Sequence, residues 1–220
     1  MQQYDQSDLG HRVLVDDNAG VVTSADPSFP SQSDVPLSTS NWSVANYQPV
    51  TTSLRFDTFL SYVRSRKHYM ILTFLSSNLA EINNNTDFGI FYYDASSNPL
   101  TITAPPTKNT VLLVKGAVTI SQDLLTTTQG FALLVAGSIT VAPTVKELDG
   151  VYSATTFNTG QNNTVGLKIK GNLITNSFTQ GRSQINNQKP AVFILFDASQ
   201  YLNLLPYLST DDYDWQQVQK

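Results

Sequence analysis

The sequence predicts an all-β chain whose main body is a parallel β-solenoid of about five or six coils, with one capping helix. Three observations point there. The stretch LLVKGAVTI at 112–120 returns as LLVAGSITV at 133–141 and, more loosely, as LKIKGNLIT at 167–175, each with glycine in fifth place. Apolar runs begin near Ile90, Leu112, Leu133, Val151, Leu167 and Val192, at intervals of 22, 21, 18, 16 and 25 along the chain. A period near 20 that carries a repeated internal pattern is the signature of coils stacked one on the next. Hydrophobic residues at 40% supply a core for that stack, and the crossover preference of parallel strands favours a right-handed winding.

From the N-terminus, HRVLVDDNAGVVTS at 11–24 reads as two short strands about an Asp-Asn-Ala-Gly turn, so residues 1–24 form a leader or hairpin. ADPSFPSQSDVPLSTS at 25–40 is rich in Ser, Pro and Asp without periodicity, which predicts an extended linker. Residues 41–87 are expected as an N-terminal cap. Within them Phe56, Phe59, Leu60 and Val63 fall at i, i+3, i+4 and i+7, one face of a helix over about 53–67. Ser53 suits its start, Asp57 its first turn, and Arg64, Arg66 and Lys67 its last. YMILTFLSSNLAEI, from residue 69, fits helix or strand. Residues 88–196 are the solenoid, and 197–220 close its far end as a C-terminal cap or tail, because open strand edges invite aggregation.

Inside a coil, Leu113, Val118 and Ile120 are expected to point inward, with Leu134, Ile139 and Val141 one coil on. Ile169 or Leu167, Leu173 and Thr175 follow. Gly116, Gly137 and Gly171 then mark one repeated corner, where a bend favours positive φ or a missing Cβ. Each aliphatic buried in such a column contributes roughly 1.5–3 kcal/mol.

Composition narrows the function. Charged residues are 14% of the chain, against about 25% in ordinary globular proteins. Polarity comes instead from 22 Ser, 24 Thr and 17 Asn, a neutral exterior that suits an extracellular or cell-surface protein. There is no cysteine, which excludes disulfides and thiolate chemistry. No run approaches the roughly 20 apolar residues that span a bilayer, so no membrane insertion by this chain is expected. MQQYDQSDLG lacks the basic-then-apolar order of a signal peptide; a signal or anchor is expected outside this chain. Net charge is −4, and residues 101–196 set seven Lys/Arg against Asp123, Glu147 and Asp149. That is too dilute for a groove tracking phosphates, so nucleic acid is not an expected partner.

The runs VLLVKGAVTIS, FALLVAGSITVAPTVKELDGVYSATTFNTG and LKIKGNLITNSFTQGR, with the tail FDASQYLNLLPYLSTDDYDWQQV, carry a resemblance. They resemble uncharacterised cell-surface β-solenoid domain proteins of uncultured ultrasmall (candidate-phyla) bacteria, over about residues 40–218. The DGVY segment and the closing Tyr-Leu-Pro-Trp tail are its specific part, and NWSVANYQ with the aromatic helix fits the same pattern. The rungs alone also resemble bactofilin-type β-helices, which form polymers. The first resemblance implies a place outside the membrane and a structural or binding role, and it brings no catalytic residues.

Sugar cleavage is the enzymatic work open to a parallel β-helix, and it needs two carboxylates about 5–9.5 Å apart. Glu147 and Asp149 share one loop with no acidic counterpart in a neighbouring coil. His11 and His68 are the only histidines, in the leader and at a helix end, so a nucleophilic triad would need one of them to meet a Ser and a carboxylate through the tertiary fold. Asp211, Asp212 and Asp214 lack the spacing of a calcium loop. Lys115 and Lys170 both precede a repeat glycine, with Lys168 two residues earlier, which predicts a mild outward basic column that keeps the solenoid soluble or meets acidic polymers. Trp42, Trp215, Tyr47, Tyr92, Tyr93, Tyr152 and Tyr213 can stack on sugar rings or pack the ends of the domain.

The expectation is therefore a non-enzymatic extracellular structural or attachment module, with no catalytic residue, metal or cofactor, meeting surface glycans or a neighbouring cell. Its alternatives are a polysaccharide-active β-helix enzyme and a self-assembling bactofilin-like scaffold.

Overall fold

A computed structural model describes residues 54–183 and 190–208, together with the backbone of four short strands before them. The chain divides into two units, Met1–Thr52 and Ser53–Lys220.

In the first unit, β1 (Gln2–Gln6) pairs antiparallel with β2 (His11–Val15), and β3 (Gly20–Ser24) pairs parallel with β4 (Trp42–Asn46). The two strands expected within 11–24 are present. They do not form a hairpin with each other, because each finds its partner elsewhere in the chain. Trp42–Asn46, from the segment expected as the cap, pairs with β3. The linker at 25–40 lies outside the described residues.

The second unit is a parallel β-solenoid of about six coils. Its strands are β5 (Met70–Leu72), β6 (Ile90–Ile102), β7 (Thr110–Ile120), β8 (Phe131–Val141), β9 (Glu147–Asn158), β10 (Leu167–Thr179) and β11 (Val192–Leu195). All run parallel, in sequence order, in one seven-stranded sheet. Met70 pairs with Phe91, Phe91 with Leu112 and Leu112 with Leu133, so the step along the chain is the same each time. The step from Leu133 to Tyr152 is slightly shorter, and that from Tyr152 to Leu173 restores the first value. Leu167 then pairs with Val192, the longest step in the sheet. The sequence intervals of 21 and 25 match this register. Those of 18 and 16 do not, because β9 opens with Glu-Leu-Asp-Gly, whose two acids hide the true start of the strand.

Two hydrophobic layers sandwich the first half of each long strand. Leu112, Val114, Leu133 and Val135 enter an inner core, and past the corner Val118, Ile120, Ile139 and Val141 continue it, with Tyr152, Phe157, Leu167 and Ile169 beyond. Leu113 and Leu134, expected inward, face the other way. They join Val111, Ala132 and Val151 in an outer layer under α1 (Phe56–Arg66) and α3 (Ala198–Leu208). A strand buried on both faces reads as an unbroken apolar run, so alternation cannot tell its inside from its outside. Thr175 is also corrected: it is only half-buried, and its hydroxyl donates to the carbonyl of Thr155.

The helix expected at 53–67 forms, with Phe56, Phe59, Leu60 and Val63 all buried. It lies on this flank, against β8 and against Tyr92 of β6, beside and not over the end of the inner core. Leu72, Leu75, Leu79 and Ile82 extend the inner core at that end instead. Their segment, ambiguous in sequence, holds both β5 and α2 (Ala80–Asn83). α3, from the segment expected to close the far end, packs along β7, β8 and β9 in the middle of the sheet. Its start is fixed by Asp197, whose Oδ1 accepts from the Ser199 amide at 2.9 Å.

The glycines form two columns, not one. A Cβ on Gly137 would stand 2.4 Å from the Gly116 carbonyl oxygen, so these two share a corner. Gly171 pairs in register with Gly150, at the opening of β9 and away from the middle of β8. The third repeat is therefore offset from the first two.

Candidate functional site

The charged residues of the coils gather where β9 meets β10. Glu147 is in register with Lys168, and Asp149 with Lys170. Lys168 Nζ meets Glu147 Oε1 at 2.6 Å, and Lys170 Nζ meets Asp197 Oδ2 at 3.4 Å. Elsewhere Lys115 pairs with Asp94 at 3.2 Å, again from registered positions on adjacent coils. The Asp94 carboxyl is held down to about 2 by the hydroxyl and amide of Ser96 and then by Lys115. The expected basic column is thus absent: Lys115 and Lys170 stand beside different glycine columns, and each has an acidic partner.

Asp149 is 4% exposed. Its Oδ2 accepts a 2.9 Å bond from the Thr126 amide, while Oδ1 has no partner among the described residues. Burial pushes its carboxyl up, against the opposing pull of the Thr126 amide and Lys170. The Tyr152 hydroxyl donates to the Asp149 carbonyl, and burial raises that phenol as well. Asp123 Oδ1 accepts from the amides of Lys146 at 2.6 Å and Glu147 at 3.1 Å. The three acids of residues 101–196 therefore all bridge neighbouring coils: Asp123 and Asp149 to backbone amides, Glu147 to Lys168.

The remaining candidates fall apart spatially. His68 is exposed and stacks on Phe88, with centroids 5.1 Å apart. Tyr152 is wholly buried, edge-on to Phe131 and Phe157. Tyr92 packs under α1 against Phe56, and Tyr93 against the inner core. His11 and Trp42 lie on strands described by their backbone only. Tyr47, Asp211, Asp212, Tyr213, Asp214 and Trp215 lie outside the described residues.

One small cleft, of about 130 Å³, opens where the start of α1 meets β8 to β10. Arg55, Asp57, Ser153, Thr155 and Asn176 give it polar walls. Among the described residues no group of three or more His, Asp or Glu is placed to hold a metal ion, and no helix is long and apolar enough to cross a membrane. Comparison with family models, curated proteins and solved structures finds no match to this chain.

Proposed function

We propose that the chain is a non-enzymatic structural or attachment module that works outside the cell, on surface glycans or a neighbouring cell surface. One observation carries the reading. The carboxylates a sugar-cleaving site would need are committed to holding coil to coil, Glu147 to Lys168 at 2.6 Å and Asp149 to the Thr126 amide at 2.9 Å. The neutral Ser-, Thr- and Asn-rich composition and the resemblance to cell-surface solenoids of ultrasmall bacteria support the same reading. The test pairs two assays on the purified chain. Saturable binding to cells or immobilised glycans is expected, without release of soluble sugars from a polysaccharide panel. Sugar release that disappears in Glu147→Gln would overturn it.

A self-assembling scaffold is the second reading. Ile71 on the edge strand β5 and Phe74 just after it are exposed, as are Ile194 and Leu195 on the edge strand β11 and Phe196 next to them. Two apolar ends on one parallel sheet suit head-to-tail contact, which does not close on itself. Light scattering tests this directly: mass that stays constant up to high protein concentration rules it out.

A further inference from the structure

Past the Gly116–Gly137 corner, each strand alternates cleanly. Leu100 and Ile102, Val118 and Ile120, Ile139 and Val141, and then Phe157 point into the inner core. The residues between them face outward. In register these are Thr101, Thr119, Thr140, Asn158 and Thr179, one rank across five adjacent strands. Two residues back along the chain, Ser138, Thr156 and Ser177 make a second rank on β8 to β10, with Ala117 in that place on β7. All of these side chains are half-buried or exposed. The hydroxyls of Thr101, Thr119, Thr140, Ser138 and Thr156 make no hydrogen bond within the described residues, and α1 and α3 cover the other half of the strands.

The physical character of this face is specific. Neighbouring strands set the hydroxyls about 4.8 Å apart, and alternate residues set the two ranks about 6.6 Å apart. Threonine is stiff at χ1, so Thr101, Thr119, Thr140, Thr156 and Thr179 each hold a methyl and a hydroxyl with little freedom left to lose on binding, while Ser138 and Ser177 add hydroxyls and Asn158 an amide. Neither rank contains a charge, and neither contains an aromatic ring. A charged polymer would therefore lose hydration without gaining an ion pair, and a sugar ring finds no aromatic platform to stack on. The partner that fits is neutral, rich in donors and acceptors, and periodic in two directions. Crystalline water meets all three conditions, and the two spacings lie close to in-plane repeats of hexagonal ice.

We propose that the ranks Thr101–Thr119–Thr140–Asn158–Thr179 and Ser138–Thr156–Ser177 form an ice-binding face. Hydroxyls anchor the first ordered waters and methyls order those between them, so the lattice grows onto the protein in register. The proposal deepens the attachment reading by naming a partner, and rests on it only for the chain's place outside the cell.

The test is ice-affinity partition of the purified chain into a slowly growing ice front, beside a control protein of similar size. The chain is expected in the ice several-fold above the control. That excess is expected to vanish in Thr119→Tyr and in Thr140→Tyr, which break the flat rank, and to persist in Lys115→Tyr, on the strand half before the corner. Unchanged melting temperatures show that the variants fold, and Thr140→Val serves if a tyrosine does not. Partition at the control level, or partition untouched by both tyrosine variants, overturns the proposal. So does retention on crystalline cellulose or chitin at room temperature that the same variants abolish without any retention in ice. If binding to cells or glycans persists while partition fails, the ice face falls and the attachment reading stands.

Discussion

Arg182 Nη1 donates a 2.6 Å hydrogen bond to the carbonyl of Val145, 37 residues earlier in the chain. The same guanidinium reaches Thr159 through Nε at 2.7 Å and Ala142 through Nη2 at 2.9 Å. It is 2% exposed and ties together the connections that follow β8, β9 and β10. A rigid fork of donors can do this where a lysine cannot. Burial lowers its pKa, yet carbonyl oxygens surround the cation. Each buried carbonyl left without a donor costs about 1–3 kcal/mol. Arg182→Met is therefore expected to lose at least about 3 kcal/mol in urea unfolding, with Arg182→Lys intermediate. A methionine variant as stable as the parent would show that water replaces the guanidinium.

Glycine substitutions separate two effects. Gly171 sits at φ +139°, and a Cβ there would come 2.0 Å from the Gly150 oxygen. Gly137 has no such backbone strain but meets the Gly116 oxygen at 2.4 Å. Crowding alone costs about 1–3 kcal/mol, and a strained φ adds about 1–3 kcal/mol more. Both alanine variants should lower the denaturant midpoint, Gly171→Ala by the larger step. Equal losses would mean that close approach, and not φ, sets the requirement at Gly171.

The coil period was legible because Leu112 and Leu133 repeat over identical spacing, and stacked coils demand like residues over like. Sidedness was not, because Leu113 lies under the helices while Leu112 enters the core, and both positions select the same residue type. The offset of Gly171 was hidden for a related reason. Its partner Gly150 sits within Glu-Leu-Asp-Gly, where charge masks a strand whose acids answer Lys168 and Lys170 in the next coil. The threonine rank was present as a visible cue, since Thr119 and Thr140 occupy one place in both clear repeats. Asn158 and Thr179 joined it only once the register through β9 was known. Arg182 gave no local signal, for its carbonyl partners come from two earlier connections, β8 to β9 and β9 to β10.

Asp149 gives the fold a pH dependence with a definite sign. Its carboxyl is raised above the ordinary 3.8 chiefly by burial, with Glu147 adding to the rise and Thr126, Lys170 and Lys168 opposing it. An acid whose folded pKa exceeds its unfolded value favours folding while protonated, and that contribution is lost as pH rises through the folded pKa. Asp149→Asn mimics the neutral form and keeps an acceptor for the Thr126 amide. Relative to the parent, it should gain stability at neutral pH, with the advantage fading as pH falls toward 3.8. Urea midpoints measured from pH 4 to pH 7 would show the two curves converging at the acid end. Parallel curves would mean that Lys170 already compensates the buried charge.

The docking of α3 should depend on one amide side chain as much as on its leucines. Gln200 Nε2 donates to Thr126 Oγ1 at 2.9 Å, and Gln200 Oε1 accepts from the Phe131 amide at 3.2 Å. Gln200 thereby joins the helix to both ends of the turn between β7 and β8, where Asn203 also donates to the Thr128 carbonyl at 3.0 Å. Gln200→Ala leaves a buried amide unpaired, at about 1–3 kcal/mol, whereas Leu204→Ala removes a fully buried side chain at about 2–5 kcal/mol. Hydrogen exchange distinguishes local from global effects. Both variants should speed exchange in α3 and at Phe131 while leaving Leu112 and Leu133, deep in the inner core, protected. Uniform loss of protection across β7 and β8 would instead make α3 an integral part of the solenoid's cooperative unit, and not a layer laid over it.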